Sequence, residues 1–267
     1  MKEVLRQILP DPIKRVLMKV YFECQERYYF NSRLGCCVPV FVFQMGKVGS
    51  TSIYESLLKF YPGVVLHGHK FHPHHENWKF RRLYNWTVLR RRPLNIISLT
   101  REPLGRNVSA FFQNFERDTA MPYEKANLSI EDLRLLFLSR YRHDIPLEWF
   151  DKNIRETFGI DVYATPFPGS GYAVYSHANV RLLVMRCEKG DEEKVKVIKD
   201  FLRLEQFQLL RKNIGEEKNY AATYREFKDK MKLPPEYIAK MCESRYFRHF
   251  YDAATIDEVR EKWCANR

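Results

Sequence analysis

The chain has 267 residues and a formal net charge of +12, from 45 Lys and Arg against 33 Asp and Glu. A hydrophobic content of 45%, with 15% aromatic residues, is typical of a globular protein and excludes a low-complexity or disordered chain. No stretch approaches the ~20 apolar residues of a membrane span. Six scattered cysteines without C-x-x-C spacing exclude a disulfide scaffold. The charge favours polyanionic partners.

Residues 1–35 are basic and amphipathic. Their apolar residues recur at helical spacing, with a break predicted near Pro10-Asp11-Pro12; they are Leu5, Ile8, Leu9, Ile13, Val16, Leu17 and Val20. Such a helix either lies on a membrane surface or packs on the domain that it precedes, and the second interpretation is favoured. The N-terminus lacks the apolar core and small-residue cleavage site of a secretory signal, so a cytoplasmic protein is expected.

The first predicted strand, about residues 38–43, leads into a short turn and then a helix that runs to about Tyr61. The turn can bind an anion, because free backbone N–H groups and the positive end of the helix dipole converge there. Gly46 and Gly49 allow close backbone approach, and Lys47 adds a charge. The predicted phosphate-binding residues are Lys47, Val48, Gly49, Ser50, Thr51 and Ser52. The competing interpretation is an ordinary turn in which Ser50 caps the helix.

This turn differs from the loop of P-loop NTPases. That motif, G-x-x-x-x-G-K-[ST], has its lysine immediately before the hydroxyl residue that binds Mg²⁺. Here Lys47 precedes the second glycine and lies three residues ahead of Ser50. The turn is therefore expected to bind phosphate without being built for hydrolysis of a magnesium nucleotide.

A second short strand is predicted at Val64-Val65-Leu66, and five histidines follow it within nine residues: His67, His69, His72, His74 and His75. A zinc site is one interpretation of this cluster. It lacks cysteine or carboxylate partners at ligand spacing, so no metal is expected.

The third predicted strand, residues 95–100, is followed by a helix over about 102–116 that has Pro103 in its first turn. Arg101 stands at the strand end and Ser109 two turns into the helix. Together they can bind one further phosphate, Arg101 through its planar fork and Ser109 through its hydroxyl. The competing interpretation treats Arg101 and Glu102 as surface charges.

Further strands are predicted at Asp161-Val162-Tyr163 and Val180–Met185, helices near 129–141 and 146–157, and mainly helices from 191 onward. Strands that alternate with helices predict an α/β fold with a central parallel sheet flanked by helices and ligands at the carboxyl ends of the strands. We expect a single domain, 1–267, with an N-terminal helical segment (1–35), a cofactor-binding core (36–190) and a helix-rich C-terminal part (191–267).

Both motifs together resemble those of the sulfotransferases that use 3′-phosphoadenosine-5′-phosphosulfate (PAPS). Their first loop, P-K-[ST/AV]-G-[ST]-[ST], is matched by Lys47 and residues 49–52, with Gly46 in place of the usual proline. Their second motif, R-[DE/N]-P-x-x-R-x-x-S-x-[YF], is matched by Arg101, Pro103, Arg106, Ser109 and Phe111. The resemblance implies a P-loop-like three-layer sandwich, PAPS as co-substrate without a metal, the 5′-phosphosulfate at the first loop and the 3′-phosphate at Arg101 and Ser109.

The resemblance also implies roles in sulfuryl transfer. Lys47 would stabilise the leaving phosphate. His67-Gly68-His69 is similar to a short motif of glycan 2-O-sulfotransferases in which a histidine is the base, so His69 is the first candidate and His67 the second or its support. A histidine titrates near neutral pH and suits this role.

The C-terminal half resembles sulfotransferase-like proteins associated with capsular polysaccharide synthesis more loosely. The similar positions are Glu188, Asn219, Tyr220, Tyr224 and residues 246–251, and Lys212, Lys218 and Asn219 are weak candidates for contact with adenine or the 3′-phosphate. The expected partner is a carbohydrate or glycolipid acceptor, neutral or anionic, and not nucleic acid, with peripheral membrane contact through residues 1–35 as a further possibility. Two other functions stay open: a non-catalytic polyanion-binding protein on the same fold, and a nucleotide-dependent kinase-like P-loop enzyme.

Overall fold

The structure, a computed structural model, describes residues 11–123, 128–210 and 220–264. Its centre is a five-stranded sheet in the order β2-β1-β3-β5-β4. The strands are β1 (Val40–Phe43), β2 (Val65–Gly68), β3 (Leu94–Thr100), β4 (Tyr172–His177) and β5 (Val180–Arg186). The first three and the fifth run parallel, and β4 pairs antiparallel with β5 at one edge.

The sheet is covered on both faces. Successive side chains of a strand point to opposite faces, yet every residue of β1 and β3 is buried. Each fully buried large apolar side chain contributes about 1.5–3 kcal/mol. The predicted α/β class with a mainly parallel central sheet and a helix-rich C-terminal part is thus confirmed.

Helices account for most of the remaining described chain. They are α1 (Asp11–Cys36), α2 (Thr51–Phe60), α3 (Trp78–Tyr84), α4 (Pro103–Gln113), α5 (Phe115–Thr119), α6 (Ile130–Arg140), α7 (Ile145–Trp149), α8 (Glu156–Phe158), α9 (Asp191–Leu202), α10 (Ala221–Lys230), α11 (Pro235–Cys242), α12 (Arg245–Phe250) and α13 (Ala253–Trp263). Two π-helical segments, Asn85–Leu89 and Phe150–Arg155, continue α3 and α7.

The prediction of a strand at Asp161-Val162-Tyr163 is wrong. These residues form a turn, in which the Asp161 carboxylate accepts a hydrogen bond of 2.9 Å from the Tyr163 backbone N–H. Val162 is buried all the same, so its apolar character reflects the core and not a strand. The actual fourth strand, β4, forms a hairpin with β5 and makes the sheet mixed.

The N-terminal helix also differs from expectation. Helix α1 begins at Asp11, so the predicted break at Pro10-Asp11-Pro12 falls at the edge of the described residues; Leu5, Ile8, Leu9 and Pro10 lie outside them. Only the last part of α1 packs on the sheet domain, through Phe30 and Leu34. Of the described part of this segment, the C-terminal end thus packs on the domain as favoured, whereas residues 13–22 of α1 do not. Among the described helices, none is long and apolar enough to cross a membrane.

The C-terminal helices support the end of β3. The Tyr246 hydroxyl on α12 accepts from the Arg101 backbone N–H at 3.1 Å and donates to the Arg101 carbonyl at 2.9 Å. The Tyr251 hydroxyl donates to Glu188, which follows β5. Both backbone groups of Arg101, where the chain leaves the sheet, are thus held by a side chain from the far end of the chain.

Candidate functional site

The candidate site lies where the strand order reverses. The chain proceeds from β1 to β2 on one side and then crosses to β3 on the other, so the carboxyl ends of β1 and β3 border a crevice. In open α/β sheets, ligands bind in this crevice. The loop after β1 and the residues after β3 are the two segments in which the sequence predicted phosphate binding.

The loop after β1 has an unusual backbone. Lys47 and Gly49 both have positive φ, +72° and +75°. A Cβ at Gly49 would meet no protein atom within 4 Å, so the backbone there faces open space. The side chain of Val48, between them, is buried in the core, and only its backbone remains to contact a ligand.

Ser50 stands at the N-cap of α2 but does not cap the helix. Its hydroxyl lies 2.9 Å from His67 Nε2 and also accepts a short hydrogen bond from the Gln44 side chain. The interpretation of Ser50 as an ordinary capping serine is therefore wrong. Thr51 and Ser52, in the first turn of α2, line the cavity described below.

His67 is part of a closed cluster. Its Nε2 faces both Ser50 Oγ and Gln44 Nε2, the latter at 3.1 Å, and its ring stacks on Tyr54 with centroids 5.1 Å apart. Burial, with the neighbouring His69, lowers the pKa of His67 to about 4. His67 is thus neutral near pH 7, and its Nε2 lone pair is already engaged by the Ser50 hydroxyl.

His69 has the opposite arrangement. Its Nδ1–H donates to the Gln44 carbonyl at 2.7 Å, which leaves Nε2 of the neutral ring without a proton. The side chain is exposed and lines the cavity. Nε2 lies on the side of Gly46, 3.8 Å from where a Cβ of that glycine would stand. Of the two histidines, His69 therefore presents a basic nitrogen to the cavity.

Helix α4 positions the loop through Arg106. This side chain, only 3% exposed, donates from Nε to the Gly46 carbonyl at 3.0 Å and from Nη1 to the Tyr141 hydroxyl at 2.7 Å. Ser109, one turn further on, is 8% exposed and lines the cavity. The Glu102 carboxylate caps α4 by accepting the Gly105 N–H on both oxygens, at 2.8 and 2.9 Å.

Arg101 joins the two segments. Its Nη1 donates to the Lys47 carbonyl at 2.9 Å, and its guanidinium is also hydrogen-bonded to Tyr224. Arg101 is half-buried, and its partner Tyr224 lines the cavity described below. The competing interpretation of Arg101 as a surface charge is wrong, since its guanidinium is hydrogen-bonded to the backbone of the loop and to Tyr224.

A cavity of about 940 Å³ opens above these groups. Eight of the predicted residues line it: Lys47, Gly49, Ser50, Thr51, Ser52, His67, His69 and Ser109. The sequence did not predict the far wall, which is formed by Arg117, Tyr141, Arg142, Trp149, Lys152 and Asn153. These residues follow no recognisable motif, and only the fold brings them to the loop. Tyr220 and Tyr224, which the sequence singled out, line the cavity too, whereas Lys212, Lys218 and Asn219 lie outside the described residues.

The remaining histidines stand apart from the cavity. His75 stacks on Phe80 with centroids 4.3 Å apart and accepts from the Asn77 backbone N–H. Within residues 11–123, 128–210 and 220–264, no three His, Cys, Asp or Glu side chains are grouped to hold a metal ion. Glu188, bonded to Tyr251 and to the Glu102 backbone N–H, is also outside the cavity lining.

Comparison with known proteins gives one match. Residues 125–252 match the family model NKWYS, described as "Putative capsular polysaccharide synthesis protein". No curated protein and no solved structure matches the chain. The match supports a polysaccharide-related family and agrees with the looser resemblance seen in the C-terminal half. It covers the far wall of the cavity except Arg117, and neither of the two predicted phosphate-binding segments.

Proposed function

We propose that this protein is an enzyme that transfers the sulfuryl group of PAPS to a hydroxyl group of a carbohydrate or glycolipid. The proposal rests on the way the two predicted segments meet. A hydrogen bond from Arg101 to the Lys47 carbonyl joins the segment after β3 to the loop after β1, and the unprotonated Nε2 of His69 faces the cavity next to them. The polysaccharide-related family match supports a carbohydrate acceptor.

The residues present suit a phosphate compound. The Gly49 backbone faces open space, and the N-terminus of α2 has no side-chain cap from Ser50, so its backbone N–H groups are available to an anion. Lys47, residues 49–52 and Ser109 would hold the phosphates, with Arg101 at the base of the loop.

When bound, PAPS supplies an activated sulfuryl group, and the transfer breaks its S–O bond to phosphate while a new S–O bond forms to the acceptor oxygen. Lys47 and the α2 N-terminus stabilise the negative charge that remains on the phosphate. His69 Nε2 accepts the acceptor proton, and the Gln44 carbonyl, which holds Nδ1–H, stabilises the charged ring. His67 fixes the Ser50 hydroxyl in the loop.

The acceptor would enter along the far wall. Arg142 and Lys152 flank Glu148 there, at 3.5 and 2.5 Å from its carboxylate. This polar, half-exposed wall suits a hydroxyl-rich sugar better than a flat aromatic phenol.

The test is incubation of the purified protein with PAPS carrying labelled sulfate and a panel of polysaccharides, glycolipids and phenols. Label in a carbohydrate product supports the proposal. Binding of 3′-phosphoadenosine-5′-phosphate (PAP) without any transfer would favour the polyanion-binding alternative. Calorimetry that shows equal preference for Mg-ATP would favour the kinase-like alternative.

Arg101→Ala tests the placement of the 3′-phosphate. Loss of the bond to the Lys47 carbonyl weakens the loop for every ligand, whereas loss of a charged hydrogen bond to the 3′-phosphate affects PAP alone. We expect PAP to lose about 1.5–3 kcal/mol more binding free energy than adenosine-5′-phosphosulfate, which lacks that phosphate.

Arg90→Ala is the matched control, since this exposed arginine stands before β3, at the other end of the strand. It should affect both ligands equally and slightly. An equal loss of both ligands in Arg101→Ala would show that Arg101 only braces the loop.

A further inference from the structure

Helix α1 carries most of the exposed apolar surface of the described chain. Nine of the fifteen exposed large hydrophobic side chains belong to this one helix: Ile13, Val16, Leu17, Met18, Val20, Tyr21, Phe22, Tyr28 and Tyr29. Val16 is 62% exposed and Tyr28 is 72% exposed. Apolar surface of this extent on one element marks an interaction site.

The C-terminal part of α1 contacts the sheet domain on one side only. Phe30 packs edge-on against Trp78 with centroids 5.1 Å apart, and Arg27 lies 5.2 Å above the same ring. Glu26 forms an ion pair of 2.6 Å with Lys79, and Arg33 donates to the Pro62 carbonyl. These contacts fix the direction of the helix, while residues 13–22 extend beyond them.

Most of the exposed apolar side chains of α1 lie away from the side that carries Phe30. At about 100° per residue, Leu17, Tyr21 and Tyr28 lie opposite Phe30, whereas Val16 lies on the same side as Phe30. The helix therefore presents a broad apolar, tyrosine-bearing face to the surroundings. Tyrosine is enriched where one end of a side chain is apolar and the other is wet.

The charge of this segment is complementary to an anionic surface. From Pro12 to Phe22 the sequence has three basic residues and no acidic one. We propose that residues 13–22 of α1 bind the surface of an anionic lipid membrane, with the apolar face inserted at the headgroup level. This proposal does not depend on the sulfotransferase assignment.

A second copy of the chain fits this helix less well. A coiled-coil seam on the exposed face would consist of Lys14, Leu17, Tyr21, Cys24, Tyr28 and Asn31, so polar residues bound a short apolar stretch at both ends. Met18 and Phe22, both exposed, lie outside that seam. A bilayer accommodates the wider apolar face, which a two-helix seam would leave partly in water.

The experiment is co-sedimentation of the full chain with phosphatidylglycerol-rich and with pure phosphatidylcholine vesicles. We expect binding about tenfold or more tighter to the anionic vesicles, and a loss of about tenfold or more in the double variant Leu17→Asp with Tyr21→Asp. Leu135→Asp, an exposed leucine on α6, is the control and should leave binding unchanged. Arg15→Glu with Lys19→Glu should weaken binding to the anionic vesicles only.

Light scattering and PAP binding complete the test. All four substituted positions of α1 are exposed, so the variants should keep the thermal unfolding and the nucleotide affinity of the parent. No sedimentation with either vesicle, equal binding to both, or binding unaffected by the apolar double variant would overturn the proposal. A dimer that the same double variant dissociates would also overturn it, in favour of a second copy.

Discussion

His67 and His69 stand two residues apart at the end of one strand and have different environments. His67 is enclosed with Ser50 and Gln44, and His69 is held by a backbone carbonyl and faces the cavity. The sequence could only rank them by resemblance. The hydrogen bonds give the two rings separate roles, because His69 can take a proton while His67 positions a hydroxyl.

His69→Ala should reduce turnover by roughly 10²–10⁴-fold, the usual contribution of a general base. PAP affinity should be nearly unchanged, because the ring does not hold the phosphate loop. Steady-state rates, with calorimetric titration of PAP, measure both effects.

His67→Asn provides the contrast, since its amide can still meet the Ser50 hydroxyl. It should keep most of the turnover, because the bond to Ser50 is preserved and His69 keeps its bond to the Gln44 carbonyl. Loss of all activity in His67→Asn with full activity in His69→Ala would reverse the two roles.

The sequence predicted the loop residues because each motif is local. It did not predict the Gln44 cluster or the bond from Arg106 to the Gly46 carbonyl, although Arg106 belongs to the recognised motif. Their partners lie up to 60 residues away, and no spacing rule encodes such a contact. The far wall of the cavity escaped prediction for the same reason.

At the scale of single elements, the strand–turn–helix units were predictable and strand β4 was not. The strands 38–43 and 95–100 were predicted within two residues of β1 and β3, since buried parallel strands are continuous apolar runs. Strand β4, by contrast, is half exposed, with Tyr172 and Val174 facing solvent. An edge strand of this kind has no apolar run to reveal it.

The turn between β1 and α2 can be tested by a pair of glycine variants. Gly49→Ala places a side chain on a residue with φ of +75° and should lower the free energy of unfolding by about 1–2 kcal/mol. The new methyl would also project into the open space that the backbone faces, so PAP affinity should fall as well. Denaturant unfolding and calorimetry measure the two effects.

Gly46→Ala is the control within the same turn. Its φ is not in the left-handed region, and its Cβ would approach His69 no closer than 3.8 Å. Stability should change by less than about 0.5 kcal/mol. If both variants behave alike, the positive φ of Gly49 does not determine the shape of the turn.

For the whole molecule, two buried groups give opposite dependences of stability on pH. Burial raises the pKa of Glu102 from 4.5 to about 7. The unfolded chain therefore loses this proton first, and the contribution of Glu102 to stability falls as pH rises from about 4.5 to 7. The lowered pKa of His67 acts in the other direction, so its contribution rises from about pH 4 to 6.5.

The Glu102→Gln substitution keeps an acceptor for the Gly105 N–H and removes the contribution of the Glu102 carboxyl to the pH dependence of stability. Its unfolding free energy should rise more steeply with pH across 4.5–7 than that of the parent. In His67→Asn the effect should be the reverse: the free energy of unfolding should rise less steeply with pH than in the parent, or fall. Urea unfolding at several pH values measures these changes. Parallel curves of unfolding free energy against pH for the parent and Glu102→Gln would mean that this carboxyl is ionised throughout the range.

The overall arrangement of the sheet was accessible from the sequence because strands alternating with helices leave few topologies. The sequence did not predict the antiparallel hairpin of β4 and β5, nor that residues 13–22 of α1 extend beyond the domain. Amphipathic spacing gives the period of a helix but not what it meets, so the same pattern predicted packing where the structure has an exposed face.

The bridge from Tyr246 to Arg101 has a consequence for biosynthesis. The two residues are 145 positions apart, so the hydroxyl leaves the ribosome long after the strand whose end it holds. Until then, the backbone groups of Arg101 and the loop that rests on its guanidinium lack their support. A nascent chain that has not yet exposed Tyr246 therefore has both strand-end segments without the clamp that aligns them, and the candidate site is complete only after this tyrosine has emerged.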